Sequence, residues 1–288
     1  MEDSTDTALT EQWVEDGYVV FRGIYSAERT QKLKEICERI LAQWRECNPE
    51  TSEPGGSRDD HVMRHLNHAG YFSSGQPGFT ELMDAIADPR VLRVCASILK
   101  DELLFRCTSL FMNPLDTSVD GIWHRDLQFM HPDIEEEKDV LAAGSEEGHG
   151  VQLQIALVPS DDVEVVPGSH LRWDTPKEFD IRHADGKRNN RSSDMPGALR
   201  VALEPGDGVA FNPMGLHRGR YHTDKQRRTL MLTYTKSSTP RFDYFSNQPW
   251  FDTPGYLDCL VSDTSAFFKP FVAEYGEQWR AVLEQSRP

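Results

Sequence analysis

The stretch Leu199-Arg-Val-Ala-Leu-Glu-Pro-Gly-Asp-Gly-Val-Ala-Phe211 decides the reading of the fold. Two short apolar runs flank the turn-forming residues Pro205-Gly206-Asp207-Gly208, which spells strand, turn, strand. Runs of the same kind recur at 103–112, 151–158, 163–166 and 229–235, separated by turn-rich stretches. Several short strands with such punctuation point to a barrel or sandwich rather than to a βαβ sheet. Two polar insertions, near 139–150 and 183–197, interrupt the series and are expected at the barrel rim.

Outward from this core the pattern changes. Before residue 100 the chain reads as mostly helical, with a short helix at 10–16 ended by Gly17 and a strand at Tyr18-Val-Val-Phe21. From Ser26, Leu33, Ile36, Cys37, Ile40, Leu41 and Trp44 recur at the spacing of one apolar helical stripe. Residues 48–78 are polar and rich in Gly, Ser, Pro and His, as in a long loop or lid. Asp88-Pro89 reads as an N-cap followed by proline at the first helical position, opening a helix to about Lys100. Residues 270–285 carry Phe271, Val272, Tyr275, Trp279, Val282 and Leu283, the pattern of a closing amphipathic helix. The expected organisation is a single domain over 1–288: a helical part to about 100, a barrel core over 101–236, and a helical end over 237–288. The fold class is mainly β with flanking helices.

Composition bounds the function. The 31 basic and 47 acidic residues give a net charge of −16, which repels phosphate backbones, so no nucleic-acid partner is expected. No apolar run reaches membrane-spanning length and the acidic start lacks the marks of a secretory signal, so no membrane partner and a cytoplasmic location are expected. The five cysteines show no CxxC spacing, which argues against a zinc knuckle or a disulfide framework.

Trp123-His124-Arg125-Asp126 places a histidine and a carboxylate two residues apart between strands, and in an extended segment such residues face one side. His217 follows the strand ending near Phe211 and the Asn212-Pro-Met-Gly215 turn. Two imidazoles and one carboxylate on one face of an octahedron form the facial triad of non-haem Fe(II) oxygenases, with positions left open for oxygen chemistry. Eleven residues after His217, Arg228 opens the strand at 229–235 and suits a planar, bidentate grip on a carboxylate; strand alternation then turns Arg227 to solvent. His124-Arg-Asp-Leu127 also mimics the start of a kinase catalytic loop, but the closing asparagine is His131 and no D-F-G follows.

These residues, together with Val166-Pro-Gly-Ser-His170 and the Pro205-Gly206-Asp207 turn, resemble in order and spacing the phytanoyl-CoA dioxygenase-like (PhyH) family of Fe(II)/2-oxoglutarate-dependent oxygenases. The resemblance implies a double-stranded β-helix (jelly-roll or cupin-like) core, Fe(II) as cofactor, and 2-oxoglutarate and O2 as co-substrates, with succinate and CO2 as products. It maps His124, Asp126 and His217 to metal ligands, Arg228 to the distal carboxylate of 2-oxoglutarate, and Gln152 to a strand position reaching the co-substrate, with Gln154 on the same face. His170 is read as part of a structural turn. The sequence departs from the family where Arg218-Gly219, not Gly-Ser, follows His217, and where Ser160-Asp-Asp-Val-Glu164 replaces the usual Asn-Gly loop.

Relatives that halogenate replace the ligand carboxylate with a small residue, so Asp126 argues for hydroxylation of an unactivated C–H bond. Desaturation, epimerisation or ring-forming oxidation of a natural product stays open, because the ligand set is the same. A non-catalytic cupin-like metal-binding module is the alternative from another class. The expected partner is a small molecule, polar or anionic, with Phe129, Met130, Trp173, Gln154 and Arg218 as candidate substrate residues. Arg220, His222 and the insertion's Arg182, Lys187, Arg188 and Arg191 add a basic rim. Oligomeric state is not legible.

Overall fold

The computed structural model describes residues 2–72, 78–144 and 150–285; residues 73–77 of the expected lid and 145–149 of the first insertion lie outside them. Four helices lead the chain: α1 (Glu2–Asp16), α2 (Ala27–Glu46), α3 (Phe79–Ile86) and α4 (Pro89–Leu99). Two of these helices open where the residues foretold them. The Ser26 side chain accepts from the Arg29 N–H, and the Asp88 carboxylate accepts from the Arg90 N–H with Pro89 at the first helical position. α1 is longer than its apolar pattern suggests, and α3, short and apolar, lies where the sequence reads only as a loop margin.

Among the described residues ten strands follow the turn signals: β1 (Tyr18–Phe21), β2 (Val62–Arg64), β3 (Leu103–Met112), β4 (Val119–Asp120), β5 (Gly150–Ala156), β6 (Ser160–Val165), β7 (Leu199–Leu203), β8 (Gly208–Phe211), β9 (His217–Tyr221) and β10 (Arg228–Lys236). They form a six-stranded sheet in the order β1-β8-β5-β10-β3-β2 and a four-stranded sheet in the order β4-β9-β6-β7, with every pairing antiparallel. This is the double-stranded β-helix arrangement. Helices lead into the insertions: α6 (Ile134–Gly144) follows the single turn α5 (Leu127–Met130), and α7 (Pro176–Lys187) begins in a capping box of Thr175 and Glu178, while residues 188–197 run as turns and loop. The helix α8 (Ser262–Gln285) closes the chain.

The large sheet is buried on both faces. Leu110, Leu153, Ile155, Leu230, Leu232 and Tyr234 pack outward against α2, α4 and α8 in the main hydrophobic core. On the other face Ala156, Val209 and Phe211 meet Val163, Val165, Val201 and Leu203 of the small sheet. Residues 160–162, read as loop, extend the run expected at 163–166 into one strand, and Asp161 and Asp162 bind the Lys225 ammonium. Gly17 enters β1 with φ +74°, and a Cβ there would lie 2.4 Å from the His170 ring. His170 in turn bonds the Val14 carbonyl at 3.1 Å, so it is a structural histidine. No helix among the described residues is long and apolar enough to cross a membrane. All five cysteines are free thiols.

Candidate metal centre

His124 and His217 face each other across an isolated antiparallel bridge beside β9. Their backbones exchange both N–H···O bonds, at 3.1 and 3.0 Å. Directly opposed residues in such a pair project to the same face, and the two rings lie with centroids 4.3 Å apart. Each imidazole sets its Nδ1 against a carbonyl two residues earlier: His124 against Ile122 at 2.8 Å and His217 against Gly215 at 2.9 Å. This fixes the tautomer and leaves both Nε2 atoms bare, the state of a neutral imidazole ligand. Asp126 is held by its N–H on the Pro213 carbonyl at 2.9 Å, and its Oδ1 lies 3.5 Å from Nε2 of His124 and 3.6 Å from Nε2 of His217. One ligand atom from each of the three residues lies within 4.8 Å of the others, close enough to hold one metal ion.

The electrostatics match that role. Burial and then the neighbouring His124 hold His217 down to about 4, partly offset by Asp126, so its imidazole is neutral at physiological pH. Burial works to raise Asp126, but the contacts with His124, His217 and Gln152 outweigh it and keep the carboxyl below its ordinary range. The Gln152 amide donates to Oδ2 of Asp126 and so leaves Oδ1 directed at the imidazoles.

Behind the site stands a residue that sequence reading passed over. Arg125, fully buried, donates to the carbonyls of Met214 at 2.6 Å and Ser169 at 2.7 Å and to Asp174 at 2.8 Å. It ties the turn before His217 to the turn after Val166 and holds both ligand segments in register. Asp174 also pairs with Arg182 at 2.6 Å, and Arg182 with Glu137 at 2.6 Å, all essentially excluded from solvent. The signal available in the sequence was only its position between two ligands, where alternation turns it away from the metal.

The two adjacent arginines take the opposite faces from those expected. Arg228 points to the helix side of β10, where Nε meets Oε1 of Glu38 at 2.7 Å and Nη1 meets Oδ1 of Asn113 at 2.8 Å. Arg227, far from facing solvent, is 1% exposed on the inner face. Its guanidinium lies over the rings of Tyr221 and Phe111 at 4.5 and 5.1 Å and touches only the Arg220 carbonyl at 2.9 Å, Gln154 Oε1 at 3.3 Å and the Thr229 hydroxyl at 3.4 Å. Among the described residues it forms no ion pair. Alternation holds, but its phase is inverted. Gly219 makes room for this side chain, since a Cβ there would come within 2.8 Å of Nη1 of Arg227. Gln152 and Gln154 do share the inner face, opposite Thr233 and Met231.

Other candidates move. Phe129 and Met130 do not point inward: they are 63% and 40% exposed on α5, with Phe129 5.2 Å from the His124 ring at the mouth, because Leu127 takes the buried side of that single turn. Trp173 packs behind the site, under the guanidiniums of Arg125 and Arg182 at 5.9 and 5.8 Å. Arg218, on the far face of β9, is buried against Glu164 and over the Trp123 ring at 4.7 Å, so its guanidinium is engaged away from the mouth. The basic rim is largely neutralised: Arg220 and His222 bind Asp120 at 3.1 and 2.9 Å, and Arg182 is in the buried network.

Residues 13–229 match the model of the family described as phytanoyl-CoA dioxygenase (PhyH). No curated protein matches the sequence. Among solved structures, EctD from S. alaskensis with bound Fe aligns with a TM-score of 0.59 at 19% identity, covering 85% of this chain and 82% of that one. The epimerase SnoN, solved in complex with Fe3+, alpha ketoglutarate and nogalamycin RO, aligns with a TM-score of 0.54 at 18% identity over 88% and 91% of the two chains. The carbocyclase SnoK from nogalamycin biosynthesis gives 0.53 at 16% identity, over 80% and 83%. With three quarters of its length in that match and the facial triad assembled on the expected fold, the chain belongs to the phytanoyl-CoA dioxygenase (PhyH) family.

Proposed function

We propose that the protein is an Fe(II)- and 2-oxoglutarate-dependent dioxygenase that hydroxylates an unactivated C–H bond of a small molecule. One observation carries the reading: two bare Nε2 atoms and a carboxylate converge on the same concave face as a buried guanidinium that lacks a counter-ion. A buried charge without a partner is costly, so an anion of the working complex is the expected compensation.

His124, His217 and Asp126 hold the metal, and the carbonyls of Ile122 and Gly215 fix both imidazoles in the ligating tautomer. Gln152 engages the second oxygen of Asp126 and orients the first. Arg227, with the Thr229 hydroxyl, binds the distal carboxylate of 2-oxoglutarate bidentately, in the role the sequence pattern assigns to Arg228. Val209, Phe211 and Met231 give the inner face an apolar wall that excludes water. When bound, iron, O2 and the keto acid supply the oxidation, with succinate and CO2 as co-products; the chain contributes geometry and a dry chamber.

Anaerobic titration with Fe(II) and then 2-oxoglutarate tests this directly. A visible metal-to-ligand charge-transfer band is expected in the wild type. Its absence with metal bound favours the non-catalytic metal-binding alternative.

A further inference from the structure

A second cation stands on the concave face without a partner. The register sets Arg64 of β2 opposite Ser109 of β3, Ser109 opposite Met231, and Met231 opposite Gln154, so all four side chains share the face that carries the metal site. The Arg64 guanidinium lies 5.2 Å over the Phe245 ring, whose other cation, Arg106, lies at 5.3 Å. Arg106 is neutralised by Asp243 at 2.6 Å. Among the described residues, Arg64 forms neither an ion pair nor a side-chain hydrogen bond. Its cross-strand neighbour is equally incomplete, since the buried Ser109 hydroxyl has no hydrogen-bond partner.

There is room beside Arg64 for a ligand. A cleft of about 270 Å³ flanks the edge strand β2, lined by Arg64, Tyr244, Phe245, Trp44, Asn48 and Glu50 among others. Glu50 does not neutralise Arg64, because its charge is already engaged. It contacts Nδ1 of the buried His65, while Nε2 of the same ring faces the Phe245 carbonyl at 3.3 Å. An imidazole with both nitrogens against acceptors is an imidazolium. Burial disfavours that charge, yet Cys107 and Glu50 raise the group to about 10. The cleft therefore holds one matched pair and one unmatched guanidinium.

A half-buried cation without a counter-ion and a buried hydroxyl without a partner, adjacent on one face, can both be met by the same ligand group. We propose that the substrate carries an anionic group, a carboxylate or similar oxyanion, which docks on Arg64 and accepts a hydrogen bond from Ser109 while the rest of the molecule crosses β3 and β10 toward the metal. This deepens, and rests on, the oxygenase reading. Three strand spacings, about 14 Å, separate the backbones of β2 and β5, so the oxidised carbon is several bonds from the anion.

The test uses full-length protein under anaerobic Fe(II) with saturating 2-oxoglutarate, titrated calorimetrically with heptanoate and with heptan-1-ol as the neutral counterpart. The wild type is expected to prefer heptanoate. Arg64→Gln should weaken heptanoate by about tenfold or more, equivalent to ~1.4 kcal/mol, and leave heptan-1-ol unchanged. Arg64→Lys should retain part of the preference. Ser109→Ala should show a smaller loss, and it carries the test if Arg64→Gln does not fold. Equal binding of the two probes by the wild type, no binding of heptanoate, or an Arg64→Gln variant that binds heptanoate normally overturns the proposal. A failed oxygenase reading shows itself separately, as a wild type without the charge-transfer band; the same titration on metal-free protein then still decides whether Arg64 selects an anion.

Discussion

Two neighbouring arginines where β10 begins have opposite chemical fates, and the difference lies in which partner each can reach. Arg228 finds a carboxylate, Glu38, and an amide, Asn113, on the helix side of β10. Arg227 finds aromatic faces and neutral oxygens only. Arg227→Gln is therefore expected to raise the apparent 2-oxoglutarate dissociation constant by thirtyfold or more, because losing one side of a buried charge pair costs about 2–5 kcal/mol. Arg228→Gln should leave that constant within about twofold and instead lower stability, by roughly 1–3 kcal/mol for the hydrogen bonds lost. Titration of the charge-transfer band and chemical denaturation read the two effects, and the reverse pattern would return the anchoring role to Arg228. Asp126→Ala removes a ligand outright. Substrate-coupled succinate release should fall more than about a hundredfold, since even the outer partners of ligands are worth 10–100-fold; normal turnover in that variant refutes the triad.

At the level of elements, the ligands come from two segments that the chain brings together only through packing. One is the segment 124–126, bridged to β9 at residue 124; the other is the start of β9 at His217, reached through the tight turn at 212–215, whose Asn212 side chain accepts from the Met214 N–H at 2.9 Å. Arg125 joins them from behind, with Asp174, Arg182 and Glu137 completing a network of two positive and two negative charges. Breaking such a network by deleting one member strands the remaining charges, at a cost of about 3–5 kcal/mol. Arg125→Met should therefore destabilise by that amount in urea denaturation and weaken metal binding, although the side chain touches no ligand atom. A variant with wild-type stability and metal affinity would reduce Arg125 to a bystander.

Across the whole molecule, the segment after β10 is laced back to the N-terminal loop through His65, which bonds Glu50 on one side and the Phe245 carbonyl on the other. The groups around its ring are Glu50, Cys107, His68, Tyr244 and Arg64. Its folded-state pKa, about 10, lies above the ordinary 6.5, so this link stabilises fully below pH 6.5 and is lost as pH rises through 10. Thermal unfolding of the wild type should show Tm falling over that window, and His65→Gln should flatten the slope. Parallel slopes in both proteins would mean that His65 is neutral in the fold.

The amino-acid order by itself determined what local chemistry dictates. The helix start at Ser26, the cap at Asp88, the Pro205-Gly206-Asp207 turn and short apolar runs specified most of the elements, and the His-x-Asp pair with a later histidine specified the candidate metal centre. β2 and α3 escaped because three residues of edge strand, and two helical turns inside a polar stretch, carry too little periodic signal. Tertiary structure alone decided the faces. β10 is buried on both sides, so no polar stripe marks which of Arg227 and Arg228 turns inward, and a shift of one residue exchanges them. The buried clamp of Arg125, the closure of Arg218 on Glu164 and the unmatched pair of Arg64 and Ser109 likewise depend on partners distant in the chain, whose proximity only the packed sheets create.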